Sequence, residues 1–330
     1  MTENMKADDP NQLIPYLIAE GQLLYSESVA VEPLSGVSCR TVLVRRSNGP
    51  DLVVKQARRR LQVAEKWISD PARIHIEAAA MRVLPELTPP GSVPRLLFED
   101  HELHLLGMEA VPEPHANWKS LLLEGQLNDD HVRQFGRILA GLHSGSFEVE
   151  RYRRAFADRS FFETLRIEPY YAFTAGQVPA AAAFLHALIE DCRAVQRTLV
   201  HGDFSPKNIL VHRGQLVLLD HEVFHFGDGA FDVGFSLTQL LSKAGHVAGK
   251  KEAFREAARV YWETYLRYFS AGADWEKRAV RHTLACMLAR VRGKSPLEYL
   301  TVEQQRNQEA WCLQGMADAP ATILELIATR

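Results

Sequence analysis

The segment LVLLDHEVFHFGDG, residues 216–229, carries two mutually exclusive chemistries. Its His221-Glu222-Val223-Phe224-His225 matches H-E-x-x-H, in which one helix presents two imidazoles to a zinc ion and a glutamate acts as general base. Asp220, the residue just before, closes an apolar run, a position from which a carboxylate can serve a hard divalent cation. The zinc reading needs His221 and His225 as neighbours on a helix. Directly after a β-type run they are expected on extended chain, where four residues at about 3.3 Å each separate them by roughly 13 Å. Two bonds of about 2 Å to a shared zinc cannot span that. Val223 and Phe224 favour strand or loop, and Gly227 and Gly229 stop a helix. A zinc metallopeptidase is accordingly a remote alternative.

The oxygen-ligand reading gains from NILVHRGQLVLLD, residues 208–220. Two apolar runs flank His212-Arg213-Gly214-Gln215, a four-residue turn containing glycine. A hairpin centred on Gly214 sets Asn208 opposite Asp220, with Cβ atoms about 5 Å apart. An amide oxygen and a carboxylate at that separation suit one magnesium ion. In extended chain Glu222 shares a face with Asp220, which offers a second carboxylate to the metal; a solvated or structural glutamate is the alternative. Upstream, LVHGDFSPKN places His201-Gly202-Asp203 five residues before Asn208.

H-G-D-x-x-x-x-N followed by an apolar strand ending in Asp resembles the signature of the aminoglycoside phosphotransferase family, small-molecule kinases similar to protein kinases. The D-x-E of Asp220 and Glu222 is similar to the form found in methylthioribose kinases. The resemblance implies an α+β, bilobed, protein-kinase-like fold that uses ATP and Mg2+. It makes Asp203 the catalytic carboxylate that orients an acceptor hydroxyl and takes its proton, with Asn208, Asp220 and Glu222 at the metal. Gly227-Asp228-Gly229-Ala230-Phe231-Asp232 also matches the family; by that match Asp232 accepts hydrogen bonds from the His201-Gly202-Asp203 loop, and His201 supports it.

Such a kinase needs a strand lysine for the nucleotide phosphates and a helical glutamate to hold it. DLVVK (51–55) supplies Lys55. In the helix expected at 71–84, Glu77 lies beside the stripe of Ile74, Ala78, Met81 and Leu84, where a carboxylate is costly unless paired; a solvated face charge is the alternative for either residue. By the same resemblance, Ser35, Gly36 and Ser38 cover the phosphates. The backbone of Glu109 and Val111, with Met108 behind it, binds the adenine edge at a hinge spanning about 105–112.

The elements that carry these residues divide the chain. An amphipathic helix is expected over 10–25, with Leu13, Leu17 and Leu24 on one side. Strands follow at 28–34, 40–46 and 51–57, the last two joined at Ser47-Asn48-Gly49-Pro50. Asp70 caps and Pro71 opens the next helix, which Pro85 ends. PRLLFED and LHLLGMEAV form two more strands, and Pro112 and Pro114 mark a linker. Helices are then expected from 128, at 179–197, 251–270, 274–291 and 302–316, and at the C-terminus. Residues 1–111 read as a nucleotide-binding lobe, and 113–330 as a helical lobe with the catalytic loop, metal site and acceptor pocket.

Composition narrows the partners. The 330 residues are 46% hydrophobic and 24% charged with net charge −3, an ordinary globular mixture without the basic field that nucleic acid demands. The N-terminus bears acids where a signal peptide bears bases, and no run approaches a membrane span, so a cytoplasmic protein is expected. Cys39, Cys192, Cys286 and Cys312 show no CxxC spacing. The family resemblance implies a small-molecule acceptor: a sugar, amino alcohol, nucleoside or antibiotic. Arg290, Arg292 and Lys294 are candidate contacts, and if they face the cleft they favour a neutral or anionic acceptor. A nucleotide-binding pseudokinase is the alternative, though such a binder has no need of Asp203. Gly293-Lys294-Ser295 lacks the first glycine of a P-loop, since Leu288 stands there. His101-Glu102-Leu103-His104 is one residue short of H-E-x-x-H and is expected at the surface, in a tight turn.

Overall fold

Period-2 alternation in RTVLVRR and LVVKQ sends successive side chains to opposite faces of a sheet, and the computed structural model shows what each face meets. It describes residues 5–34, 36, 39–58, 69–270 and 272–330; Ser35 and Ser38 lie outside these. Strands β1 (Val29–Leu34), β2 (Cys39–Arg46), β3 (Leu52–Ala57), β4 (Leu96–Asp100) and β5 (Leu105–Glu109) make an antiparallel sheet in the order β1-β2-β3-β5-β4. Pro33 is tolerated because β1 is an edge strand. Val42, Val44, Leu52 and Val54 pack on one face against Leu13 and Leu17 of helix α1 (Pro10–Ala19). The opposite face, bearing Leu106 and Met108, packs against Ile74, Ala78 and Met81 of α2 (Arg73–Leu87). Lys55, one residue beyond Val54, therefore projects toward α2.

Three boundaries differ from expectation. Helix α1 stops at Ala19, ahead of Gly21 at φ 67, which leaves Leu23 buried and Leu24 exposed. Helix α2 begins at Arg73 rather than Pro71, because the Asp70 carboxylate accepts from the Ala72 amide and holds the entry turn. Pro85 does not end α2; the helix runs to Leu87, where the amide and hydroxyl of Thr88 both donate to the Leu84 carbonyl.

Beyond the linker the chain is mainly helical: α3 (Asp129–Ser146), α4 (Pro179–Ala194), α5 (Ala230–Ala244), α6 (Lys251–Tyr268), α7 (Ala273–Arg292), α8 (Val302–Ala317) and α9 (Ile323–Thr329). Asn128 caps α3, accepting from the amides of Asp130 and His131. Helix α5 is buried along its whole length and forms the axis of the main core. Where one hairpin was expected there are two small sheets. β6 (His115–Asn117), β8 (Ile209–His212) and β9 (Gln215–Leu218) form one, and β7 (Thr198–Val200) with β10 (His225–Gly227) the other. A wide π-type turn at Glu163–Ala172 was not expected at all. Among the described residues no helix is long and apolar enough to cross a membrane.

Candidate active site

The β8–β9 hairpin turns through two residues, not four. Arg213 and Gly214 take φ of 49 and 79, the mirror-image turn that matches strand twist, and the register pairs Ile209 with Leu218 and His212 with Gln215. Asn208 consequently opposes Leu219, whose amide donates to the Asn208 carbonyl at 2.8 Å. The expected Asn208–Asp220 opposition is thus off by one residue, a slip that sends a side chain to the other face. Asp220 regains the cleft because its own backbone is left-handed, at φ 68, a conformation uncommon for a residue other than glycine.

The expected extended stretch after Asp220 is instead a tight turn, closed by the Phe224 amide on the His221 carbonyl at 3.2 Å. It is not helical either, and the two histidines go separate ways. His221 Nδ1 lies 3.0 Å from His201 Nε2, whereas His225 opens β10, donates from Nδ1 to the Val223 carbonyl at 3.0 Å and packs on Phe162. The H-E-x-x-H match has no metal geometry.

Lys55 is the centre of a charge cluster. Its Nζ lies 2.7 Å from each Glu77 oxygen and 2.8 Å from Asp220 Oδ1. Burial works against the ammonium, but Asp220 and Glu77 together push its pKa well up, so Lys55 stays charged. Glu77 is wholly buried, and burial lifts its carboxyl to about 7 while Lys55 pulls the other way. Asp220 is also penalised by burial, yet Lys55 and Lys207 hold it well below the usual carboxylate range.

Asp203 sits on the loop before β8. Its Oδ2 accepts from Lys207 Nζ at 3.1 Å and forms an ion pair with Arg166, whose Nη2 lies 3.0 Å away. Burial opposes ionisation here as well, but Lys207 and Arg166 outweigh it and lower the pKa. The loop's shape is fixed from behind. Asp232, in the first turn of α5, accepts from the amides of His201 at 2.6 Å and Gly202 at 2.9 Å, while the Asp203 amide donates to His201 Nδ1 at 3.2 Å. Burial lowers the pKa of His201, which suits a neutral acceptor nitrogen. Gly202 has φ 74, and a Cβ there would lie 2.9 Å from Val223 Cγ1; only glycine fits.

Asn208 donates from Nδ2 to the Asp203 carbonyl at 3.0 Å, which leaves its Oδ1 as the donor for a cation. With the Asp220 carboxylate this is an all-oxygen set that suits Mg2+ and fits poorly with a softer metal. Glu222 also borders the cleft, but its Oε2 accepts from Arg73 Nε at 3.0 Å. Burial, and then Asp220, raise its pKa.

These groups share a cleft of about 1120 Å3, bordered by Gly36 and by Met108, Glu109 and Val111 at the junction. That exceeds the usual ligand pocket and leaves room for a nucleotide and a second molecule. Arg290 faces it, donating to the Ser295 carbonyl at 2.7 Å and lying 5.3 Å from the Tyr170 ring. Lys294 does not border the cleft; it is exposed and lies over Phe173. Arg292 is paired with Glu309 instead. Three residues absent from the sequence-based site belong to it. Arg166 comes from the π-type turn, where no motif marks it. Lys207 stood inside LVHGDFSPKN without an assigned role. Arg73 is the partner of Glu222.

Comparison with known proteins gives the family and the fold. Residues 30–280 match the profile of the phosphotransferase enzyme family. A methylthioribose kinase of Pectobacterium carotovorum is 26% identical over 262 residues, covering 69% of this chain and 65% of that protein. The match to its counterpart in Citrobacter koseri is 25% over 266 residues, covering 69% and 65%. The chain thus spans about two thirds of the length of these curated relatives. Among solved structures, an amicoumacin kinase in complex with AMP-PNP, Ca2+ and amicoumacin superposes with TM-score 0.57 at 16% identity, covering 98% of both chains. A microcompartment-associated aminopropanol kinase gives 0.53 at 16%, covering 96% of this chain and 98% of that one. The fold is the protein-kinase-like fold of small-molecule kinases.

Proposed function

The chain belongs to the phosphotransferase enzyme family, and from that premise we propose that it transfers the γ-phosphoryl group of ATP to a hydroxyl of a small molecule, with Mg2+. The observation that carries the reading is the double contact of Lys55, 2.7 Å from Glu77 and 2.8 Å from Asp220. It joins the sheet, α2 and the strand-end carboxylate in one ion cluster beside Asp203.

In this reading Asp203, ionised at neutral pH, accepts the proton of the acceptor hydroxyl as that oxygen bonds to phosphorus and the bond to the ADP leaving oxygen breaks. Arg166 and Lys207 hold the carboxylate in one orientation and set positive charge where negative charge develops on the transferring group. Lys55 steadies the nucleotide phosphates, and Glu77 fixes Lys55. Asn208 and Asp220 would hold Mg2+, which when bound neutralises phosphate charge; Glu222 is a further candidate once released from Arg73. Met108 and the backbone of Glu109 and Val111 would receive the adenine, and Gly36 lies on the phosphate side.

Arg166, Lys207 and Arg290 make the acceptor side of the cleft cationic, which disfavours a polycationic acceptor. A neutral or anionic hydroxyl compound is therefore favoured, a sugar first, in keeping with relatives named methylthioribose kinase. The test is ATP-dependent phosphate transfer to a panel of sugars, nucleosides, amino alcohols and antibiotics, comparing wild type with Asp203→Asn. Transfer to one class that the variant loses by about 1,000-fold is expected. Nucleotide binding without transfer to any acceptor would instead support a regulator.

A further inference from the structure

The turn that nearly spells H-E-x-x-H holds a second cluster, away from the cleft. His75 stands two positions before Glu77 on α2, about 200° round the helix, so it faces away from Lys55. Its Nδ1 lies 2.7 Å from Glu99 Oε1 on β4, and His101 Nε2 lies 3.3 Å from the same oxygen. The two imidazoles stack in parallel, with centroids 4.1 Å apart. Among the described residues these are the His, Cys, Asp or Glu side chains whose ligand atoms converge, all within 4.8 Å of one another.

We propose that His75, Glu99 and His101 form a transition-metal site of the zinc class that fastens α2 to the β4–β5 turn. Two imidazoles and one carboxylate are a common zinc ligand set, completed by water, and are too nitrogen-rich to select Mg2+. Tetrahedral bonds of about 2.0–2.2 Å space ligands by about 3.3 Å. An imidazole lone pair lies in the ring plane, so the exposed His101 ring must turn out of its stack on His75 to admit the ion in place of the proton between His75 and Glu99. The surroundings orient the ligands as metal sites require. Arg82 donates to the other Glu99 oxygen, Oε2, and leaves Oε1 for the ion. His104 Nδ1 lies 3.0 Å from His75 Nε2; with the ion on His75 Nδ1, the Nε2–H would donate to His104 and fix the ring. His104 reaches this position through a left-handed backbone, φ 47. The His101 side chain is 74% exposed, which gives the ion a way in. Because α2 also carries Glu77, the ion would brace the helix in the position at which Glu77 meets Lys55.

The test uses the full chain without a histidine tag, stripped by chelator and titrated with Co2+ in excess Mg2+, so that the oxygen ligands of the cleft are already filled. All four cysteines are buried and do not compete as ligands. One equivalent of Co2+ is expected to give the strong visible absorption of a four- or five-coordinate ion, displaced by Zn2+, and Zn2+ should raise the melting temperature. His101→Gln, on an exposed turn, should fold normally, abolish the spectrum and weaken affinity about 100-fold; Arg82→Ala should weaken it about tenfold. Absence of stoichiometric binding, or binding that survives both His101→Gln and His75→Gln, overturns the proposal and leaves the cluster as a hydrogen-bonded latch.

Discussion

Arg166 reaches from the π-type turn to set its Nη2 3.0 Å from Asp203 Oδ2, while its Nε donates to the Gly202 carbonyl at 2.6 Å. One guanidinium thus grips both the backbone and the carboxylate of the catalytic loop. After burial, which acts in the opposite sense, Lys207 and then Arg166 keep the Asp203 pKa down. On the proposed function, Arg166→Met should lower kcat/KM about 10- to 100-fold and move the acidic limb of the pH–rate profile to higher pH. The sign follows from the cause: without the cation the carboxylate binds its proton more tightly. An unchanged acidic limb counts against Asp203 as the group that must be ionised.

Glu77 and Asp220 share Lys55, so removing one leaves the lysine to the other. Glu77→Ala should keep the fold, since Asp220 still neutralises Lys55. It should nonetheless cost about 10- to 100-fold in kcat/KM for ATP, because the ammonium is then free to follow Asp220. Lys55→Met removes the shared cation and leaves the buried Glu77 carboxylate unpaired beside the half-buried Asp220, so a loss of about 3 kcal/mol in stability is expected besides loss of activity. Urea unfolding of both variants, paired with steady-state kinetics, separates these outcomes. Equal stability losses would mean the triad is not organised around Lys55.

Glycines on the two sides of β8 make opposite predictions. Gly202→Ala meets Val223 at 2.9 Å in a left-handed backbone, and should cost about 2–3 kcal/mol and most of the activity. Gly214 is equally left-handed, but a Cβ there meets nothing within 4 Å. Gly214→Ala should cost about 1 kcal/mol through strain alone and leave turnover intact. Chemical denaturation and turnover measured together check both; an active Gly202→Ala variant of normal stability would contradict the close packing of the loop on Val223.

What the sequence made legible follows from how local each signal is. Lys55 was readable because strand alternation sends it to the face that α2 covers, and Glu77 because a carboxylate near an apolar stripe needs a partner. The register at Asp220 was not readable. A two-residue turn at Arg213-Gly214 requires arginine in a left-handed conformation, and nothing in the composition of His212–Gln215 distinguishes that from a four-residue turn. Strands β6, β7 and β10 have three residues each, too few for any periodicity. Arg166 acquires its role only when a π-type turn, itself without sequence signature, brings it to a loop 37 positions further on. The sequence could not separate Arg290, which α7 sets at the cleft, from Lys294, which lies past the helix end and outside the cleft lining.

Among the described residues Lys243 is a further buried cation, and it predicts how stability depends on pH. It lies in α5 at 0% exposure and donates to the Gln239 carbonyl at 3.1 Å. Burial, then the nearby charges of Lys119 and Arg290, lower its pKa to about 7. Between that value and the ordinary lysine range the unfolded chain holds one more proton than the folded one, so the stability contributed at this site rises with pH across that window. Lys243→Met keeps the volume and removes the titration. At pH 7 the variant should be more stable than wild type by about 2–4 kcal/mol, and the advantage should shrink steadily toward pH 10. Urea midpoints for the two proteins at several pH values measure the difference, which cancels every other titrating group. A gap that stays constant with pH would show that Lys243 keeps its proton in the folded protein.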